Sequence, residues 1–276
     1  MSSPADYVLG HSVEEQERLM LQGRILRPYT EFYFRTAGIG PGMSVLDLGS
    51  GVGDVALLAA DIVGPSGRVL GIDRDKKGIE RARQRAVEQG CSSWVSFQAI
   101  DLEDFSTTEQ FDALVGRYVL LYQPYVDATL RRLTRYLKPG GIVAFHEVDF
   151  TNPHPSFPPC QVWDETAALL SEMFRRAGAP PDFGRRLGKT FLDAGLPFPA
   201  LVAESVTGGA RGSLLFSWLA ATALSVAPRL ADFGLKPPAG VTLDHTLASQ
   251  LEEAVVALGS QLVGSMQFGA WTRKPH

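Results

Sequence analysis

VLDLGSGVGD, residues 45–54, is the stretch on which the reading of this chain turns. A short apolar run at 44–48 enters three closely spaced glycines, and a second apolar run, 55–63, leaves them. Strand, tight turn, helix is the order this implies. Gly49, Gly51 and Gly53 let the backbone turn sharply and come close to a ligand, where a Cβ would intrude. The first N–H groups of the following helix favour a carboxylate or a phosphate beside Ser50 and its neighbours. A plain β–α turn without a ligand is the alternative. The dinucleotide fingerprint GxGxxG fails, because Asp54 stands where its third glycine would fall. A phosphate-cradling GxxxxGK loop is absent too.

Outward from the turn, apolar runs alternate with helical patterns. Residues 68–72, 95–99, 111–116 and 142–148 read as strands. Between them, 76–89 is a helix with Arg and Glu on its solvent face, and 126–137 is a helix ended by KPGG. Such alternation predicts right-handed βαβ units around a parallel sheet. Upstream, 13–37 has helical spacing, with Ser12 as N-cap and Glu15 closing a capping box; Pro28 is expected to divide it into two helices. Downstream of Phe150 comes a Pro-rich loop (TNPHPSFPP), then helices at 161–177, 185–194, 214–233 and 243–259, a strand at 200–206 and strand character at 265–273. The expected organisation is lid helices over 1–37, a ligand-binding core over 38–150, and the end of the sheet with a helical cap over 151–276.

Composition narrows the function. Of 276 residues, 45% are apolar and 20% charged, as in an ordinary globular chain, and the formal charge is −4. An acidic balance without a basic cluster argues against nucleic acid or an anionic membrane as partner. No stretch reaches the roughly 18 apolar residues of a membrane span, and the first residues lack a basic segment leading into an apolar run. Two cysteines, Cys91 and Cys160, make neither a disulfide scaffold nor a metal site. A cytoplasmic chain without a metal is the expectation.

Two acids extend the turn into a constellation. Asp73 ends the second strand, twenty residues after Gly53, where a carboxylate meets the hydroxyls of a ribose. Asp101 ends the third, where a carboxylate can accept from an exocyclic amine. With these residues in place, VLDLGSGVGD, GIDRD, AIDLED, FDALVGRYVL and LKPGGIVAFHE together resemble the class I S-adenosylmethionine-dependent methyltransferases over about residues 40–150. That resemblance implies a seven-stranded Rossmann-like α/β sheet whose last strand is antiparallel, and S-adenosyl-L-methionine as cofactor. It implies Asp47 and Gly49–Gly53 along the methionine moiety and Asp73 on the ribose, with Arg74 beside the adenine. Asp101 and Leu102 would bracket that ring, and Arg117 and Tyr118 would lie near the sulfonium. Arg117 departs from the small residue or Asn often found there, and a guanidinium matches the cofactor's carboxylate bidentately. The N-terminal run, residues 7–26, also resembles the lid helix of bacterial secondary-metabolism methyltransferases, which places Tyr7, His11, Gln22 and Arg24 as roof contacts.

Methyl transfer needs a base only where the acceptor atom starts protonated. His146, Glu147 and Asp149, at the end of the fifth strand, are the candidates; alternation puts Glu147 and Asp149 on one face and His146 on the other. His154 and His245 are outlying alternatives. Aromatic residues gather downstream (Phe150, Phe157, Trp163, Phe174, Phe183, Phe216, Trp218), and those facing a cleft, Phe150 and Trp163 foremost, would suit a small aromatic or apolar natural-product acceptor. Two other functions share the constellation: a quinone-type C-methyltransferase, and a non-catalytic S-adenosylmethionine-binding protein acting through partners. The apolar helices at 214–231 and 243–259 could form a homodimer or face the sheet.

Overall fold

A computed structural model describes residues 13–152 and 155–275. The elements run α1 (Val13–Ala37), β1 (Ser44–Leu48), α2 (Asp54–Val63), β2 (Arg68–Asp73), α3 (Lys76–Glu88), β3 (Val95–Ala99), β4 (Phe111–Arg117), α4 (Val126–Leu133) and β5 (Leu137–Asp149). There follow β6 (Ser156–Phe157), α5 (Gln161–Arg176), α6 (Phe183–Asp193), β7 (Ala200–Gly208), α7 (Leu214–Val226), α8 (Leu247–Leu258) and β8 (Gln261–Arg273).

The strands form one sheet in the order β3-β2-β1-β4-β5-β8-β6, with β7 also paired to β8. The pairs β1–β2, β1–β4, β2–β3 and β4–β5 are parallel. The apolar run of β1 is buried at all five positions, the signature of a strand covered on both faces. Strand order reverses beside β1: β2 lies on one side and β4 on the other. In open α/β sheets the crevice at such a reversal, beyond the carboxyl ends of the strands, is where ligands bind.

The sheet has eight strands where seven were expected. The extra one is β6, two residues inside the Pro-rich loop that pair antiparallel with Leu262 and Gln261 of β8. Pro28 does not divide α1, which runs through it. The ring removes the bond to the Arg24 carbonyl, but Arg24, Arg27 and Pro28 are all exposed, so water can stand in for the missing donor. The KPGG segment does not end a helix: α4 stops at Leu133, a 3-10 turn covers Thr134–Tyr136, and β5 already starts at Leu137. Pro139 suits that extended start, where the β4–β5 register shifts between Phe111 and Ala113. α7 and α8 are shorter than their apolar runs; α7 passes into 3-10 turns at Ala227–Arg229 and Ala231–Phe233. The Ser12 cap lies outside the described residues.

The chain divides into two compact units. One takes Leu26–Glu147, Gly184–Ala203 and the chain from Phe268 onward. Its core gathers α2, whose ten residues are almost wholly buried, with Phe34, Val45, Val69, Ile79, Phe97, Val115 and Ile142. The other takes the described residues up to Ile25 with Val148–Phe183 and Glu204–Gln267. There α5, α7 and α8 meet, Phe150 stacks on Phe174 at 4.8 Å, and Trp163 meets Phe216 edge-on at 6.0 Å. A buried pair ties the start of α1: Arg18 donates to both oxygens of Glu15 at 2.7 Å and to Gln22 at 2.9 Å. Ser225 Oγ of α7 lies 3.0 Å from the same Glu15 carboxylate.

Candidate active site

The glycine turn sits at the carboxyl end of β1, beside the reversal in strand order. Gly49 has φ 63°, and a Cβ there would lie 2.6 Å from Cγ2 of Val119. Gly53 caps α2 at φ 90°. Both positions demand glycine, through backbone conformation and through close approach.

Asp47, the central residue of this end of β1, is fully buried, and neither carboxylate oxygen has a hydrogen-bond partner. Burial pushes its carboxyl well above the usual carboxylate range, and the Arg117 guanidinium opposes that most. The Ala56 N–H also opposes it, short of hydrogen-bond geometry. Ser50 Oγ is buried without a partner as well. Unmade hydrogen bonds of this kind cost about 1–3 kcal/mol each. Three such acceptor oxygens at one glycine turn fit a ligand that brings N–H donors, and the ammonium of a methionine moiety is one.

The rest of the turn is held by acids and arginines. Asp73 accepts from Gly51 N–H at 2.9 Å and from Asp75 N–H at 2.8 Å, so its carboxylate shapes the turn. Asp54 pairs with Arg85 at 2.7 Å and lies 3.9 Å from Arg117. Asp101 accepts from Glu103 N–H at 2.9 Å, Leu102 is buried beside it, and Arg74 is exposed.

Beyond β4, Tyr118 adopts φ 54°, a left-handed conformation rare for a bulky side chain. Its N–H donates to the His146 carbonyl at 2.9 Å. His146 is fully buried, between Tyr33 (ring centroids 5.0 Å) and Tyr118 (5.7 Å), both edge-on. Its Nδ1 lies 2.9 Å from Thr30 Oγ1; Thr30 donates to the Leu26 carbonyl at 3.0 Å and accepts from Arg117 at 3.3 Å. On the opposite face of β5, Glu147 Oε1 accepts from Val119 N–H at 3.0 Å and Leu120 N–H at 2.8 Å, and Oε2 is buried without a partner. Burial pushes the Glu147 carboxyl up to about 8, against the N–H groups of Leu120, Val119 and Leu121.

One unit thus brings together Asp47, Gly49, Ser50, Gly51, Gly53, Asp73, Asp101, Leu102, Arg117, Tyr118, His146 and Glu147. Asp149, Phe150 and Trp163 belong to the other. Asp149 accepts from the backbone and hydroxyl of Thr151, and the Trp163 indole N–H is buried without a partner. Of the roof contacts, Gln22 is held by Arg18 and Arg24 is exposed. Tyr7 and His11, like His154, lie outside the described residues. Among the described residues there is no group of His, Cys, Asp or Glu placed to hold a metal ion, and no helix long and apolar enough to cross a membrane.

Thr30, Tyr33, Arg85 and Val119 were not foreseen. A threonine inside a helical run, a weak helix former, was the one available signal for Thr30.

The family described as "Methyltransferase domain" matches residues 39–178, about half of the chain. Among curated proteins, the ubiquinone/menaquinone biosynthesis C-methyltransferase UbiE of Ectopseudomonas mendocina is 33% identical over 135 residues, 48% of this chain and 53% of the relative. The chain therefore spans about half the length of the curated relatives it matches. Among solved structures, a protein of Bacillus halodurans C-125 described as a candidate methyltransferase superposes with TM-score 0.58 at 19% identity, over 90% of this chain and 99% of the other. The cyclase SpnF does so with TM-score 0.55 at 21% identity, over 90% and 81%. At such identities the two structures speak for the fold alone.

Proposed function

The chain belongs to the methyltransferase-domain family, the class I S-adenosylmethionine-dependent methyltransferases, and from that membership we propose that it methylates O, N or C of a small apolar acceptor, with His146 as general base. The observation that carries the reading is the set of buried, unpartnered oxygens of Asp47 and Ser50 on the glycine turn. When bound, the cofactor supplies an electrophilic methyl group on a sulfonium. Asp47 and Ser50 would hold the methionine end, and Asp73 and Asp101 the nucleoside. Arg117, buried in a low-dielectric site, offers the guanidinium that a carboxylate requires.

His146 suits proton removal through its tautomer. With the Thr30 hydroxyl hydrogen on the Leu26 carbonyl, Oγ1 would accept from the ring and Nδ1 would carry the ring's hydrogen. Nε2 is then the basic atom. Tyr33 and Tyr118 fix the ring edge-on and line the same place with aromatic surface.

The curated relatives favour a second acceptor, a prenylated quinone precursor, through their printed names. Their similarity covers about half of this chain, which leaves the acceptor open. A panel of phenols, indoles, amines and prenylated quinols, assayed for S-adenosylhomocysteine release, separates the two acceptors. His146→Asn is expected to lower kcat about 100-fold or more on a hydroxyl acceptor while leaving S-adenosylhomocysteine affinity within about threefold. An unchanged kcat would remove His146 as base.

A further inference from the structure

We propose that Glu147 is a positioning residue: its carboxyl holds the Tyr118–Leu120 turn against Gly49 of the cofactor-binding turn and takes no proton from the acceptor. This rests on the reading of that turn as the S-adenosylmethionine site.

The connection is made of three contacts. Glu147 Oε1 receives two consecutive N–H groups, those of Val119 and Leu120, at 3.0 and 2.8 Å. These N–H groups follow Tyr118, whose left-handed conformation turns the chain out of β4, and they open the 3-10 turn Leu120–Tyr122. The Val119 side chain in turn fills the space left by two missing Cβ atoms: one on Gly49 would come within 2.6 Å of it, one on Gly116 within 2.7 Å. A displaced Val119 would therefore be felt directly at Gly49. The carboxyl, the turn and the glycine form one packed stack within a single unit.

The same geometry speaks against proton abstraction by Glu147. Oε1 is engaged by two donors, and Oε2 is buried without a partner, a place that suits a neutral O–H far better than a charge. A carboxyl kept protonated near neutral pH has no lone proton-accepting role to offer, and burial holds this one so up to about 8. The Glu147 carboxyl itself bonds only to the turn; the His146 side chain lies on the other face of β5 and meets the turn through Tyr118.

The test compares Glu147→Gln, Glu147→Ala and Val119→Ala in the full chain, by calorimetric titration with S-adenosylhomocysteine. Glu147→Gln keeps an oxygen for both N–H groups and is expected to bind within about threefold of the wild type. Glu147→Ala frees the turn and is expected to bind about tenfold or more weakly, and Val119→Ala, which keeps the carboxyl but empties the space at Gly49, also more weakly. Should Glu147→Ala fail to fold, wild-type affinity in Glu147→Gln together with weakened binding in Val119→Ala supports the proposal. Equal loss in Glu147→Gln and Glu147→Ala overturns it, as does wild-type affinity in Glu147→Ala or in Val119→Ala, or an unfolded Glu147→Gln. If the wild type itself does not bind, the cofactor reading falls first and this role with it. If the wild type binds, only the positioning role is at stake.

Discussion

Asp47 and Glu147 are both buried carboxyls held above their usual range by loss of water, yet the structure treats them differently. Asp47 has two empty oxygens at the mouth of a glycine turn, whereas Glu147 has one oxygen filled by two backbone N–H groups. On the proposed reading the Asp47 oxygens would receive the ligand, while the filled Glu147 oxygen holds the backbone of the fold. Glu147 carries a pH signature. Its carboxyl titrates near 4.5 in the unfolded chain and at about 8 in the folded one, so the folded state retains the proton longer. Stability from the neutral carboxyl is fully present below about 4.5 and is lost as pH rises toward 8, then stays level. No charged side chain enters that shift; it is burial opposed by backbone N–H groups. Glu147→Gln lacks the titration. Its stability relative to the wild type, read from denaturant midpoints, is expected to climb between pH 5 and pH 8 and flatten above. A difference independent of pH would contradict the assignment of a neutral buried carboxyl.

At the scale of elements, α1 is the least conventional piece. It passes through Pro28 without breaking, and its C-terminal half delivers Thr30 and Tyr33 to His146. The proline removes one helical hydrogen bond at an exposed position. Pro28→Ala would restore it, at the cost of a freer unfolded chain. A net gain of about 1–2 kcal/mol in unfolding free energy is expected, measured as a raised urea midpoint. An unchanged or lowered midpoint would mean that solvent already satisfies the Arg24 carbonyl in full. The strand–turn–helix repeat of β1 to β5 was legible in the sequence because it is local: buried strands read as apolar runs, and glycines punctuate them. The turn around Asp47 was legible for the same reason. Contacts made across distance were not. Thr30 meets His146 over 116 positions and Val119 meets Glu147 over 28, and no periodicity announces either pairing. KPGG reads as a stop signal, but Pro139 is equally at home at the start of a strand, and sheet pairing decided between the two. The two-residue β6 is too short to leave any pattern at all.

At the scale of the whole molecule, the proposed cofactor-binding residues and the proposed base fall within one compact unit, while the aromatic helices α5 and α7 fall in the other. The family match, ending at residue 178, covers the first of these far more fully than the second. Family membership gives the fold and the cofactor but leaves the acceptor to be determined. The claim on which the rest depends is that the buried oxygens of Asp47 receive S-adenosylmethionine. Its most direct test is calorimetric titration of S-adenosylhomocysteine into the wild type and into Asp47→Ala under the same conditions. The account predicts saturable binding at one site per chain in the wild type, and affinity lower by about tenfold or more in a folded Asp47→Ala, in line with the loss of a charge-assisted hydrogen bond. No binding by the wild type, or the same affinity in both, would contradict it.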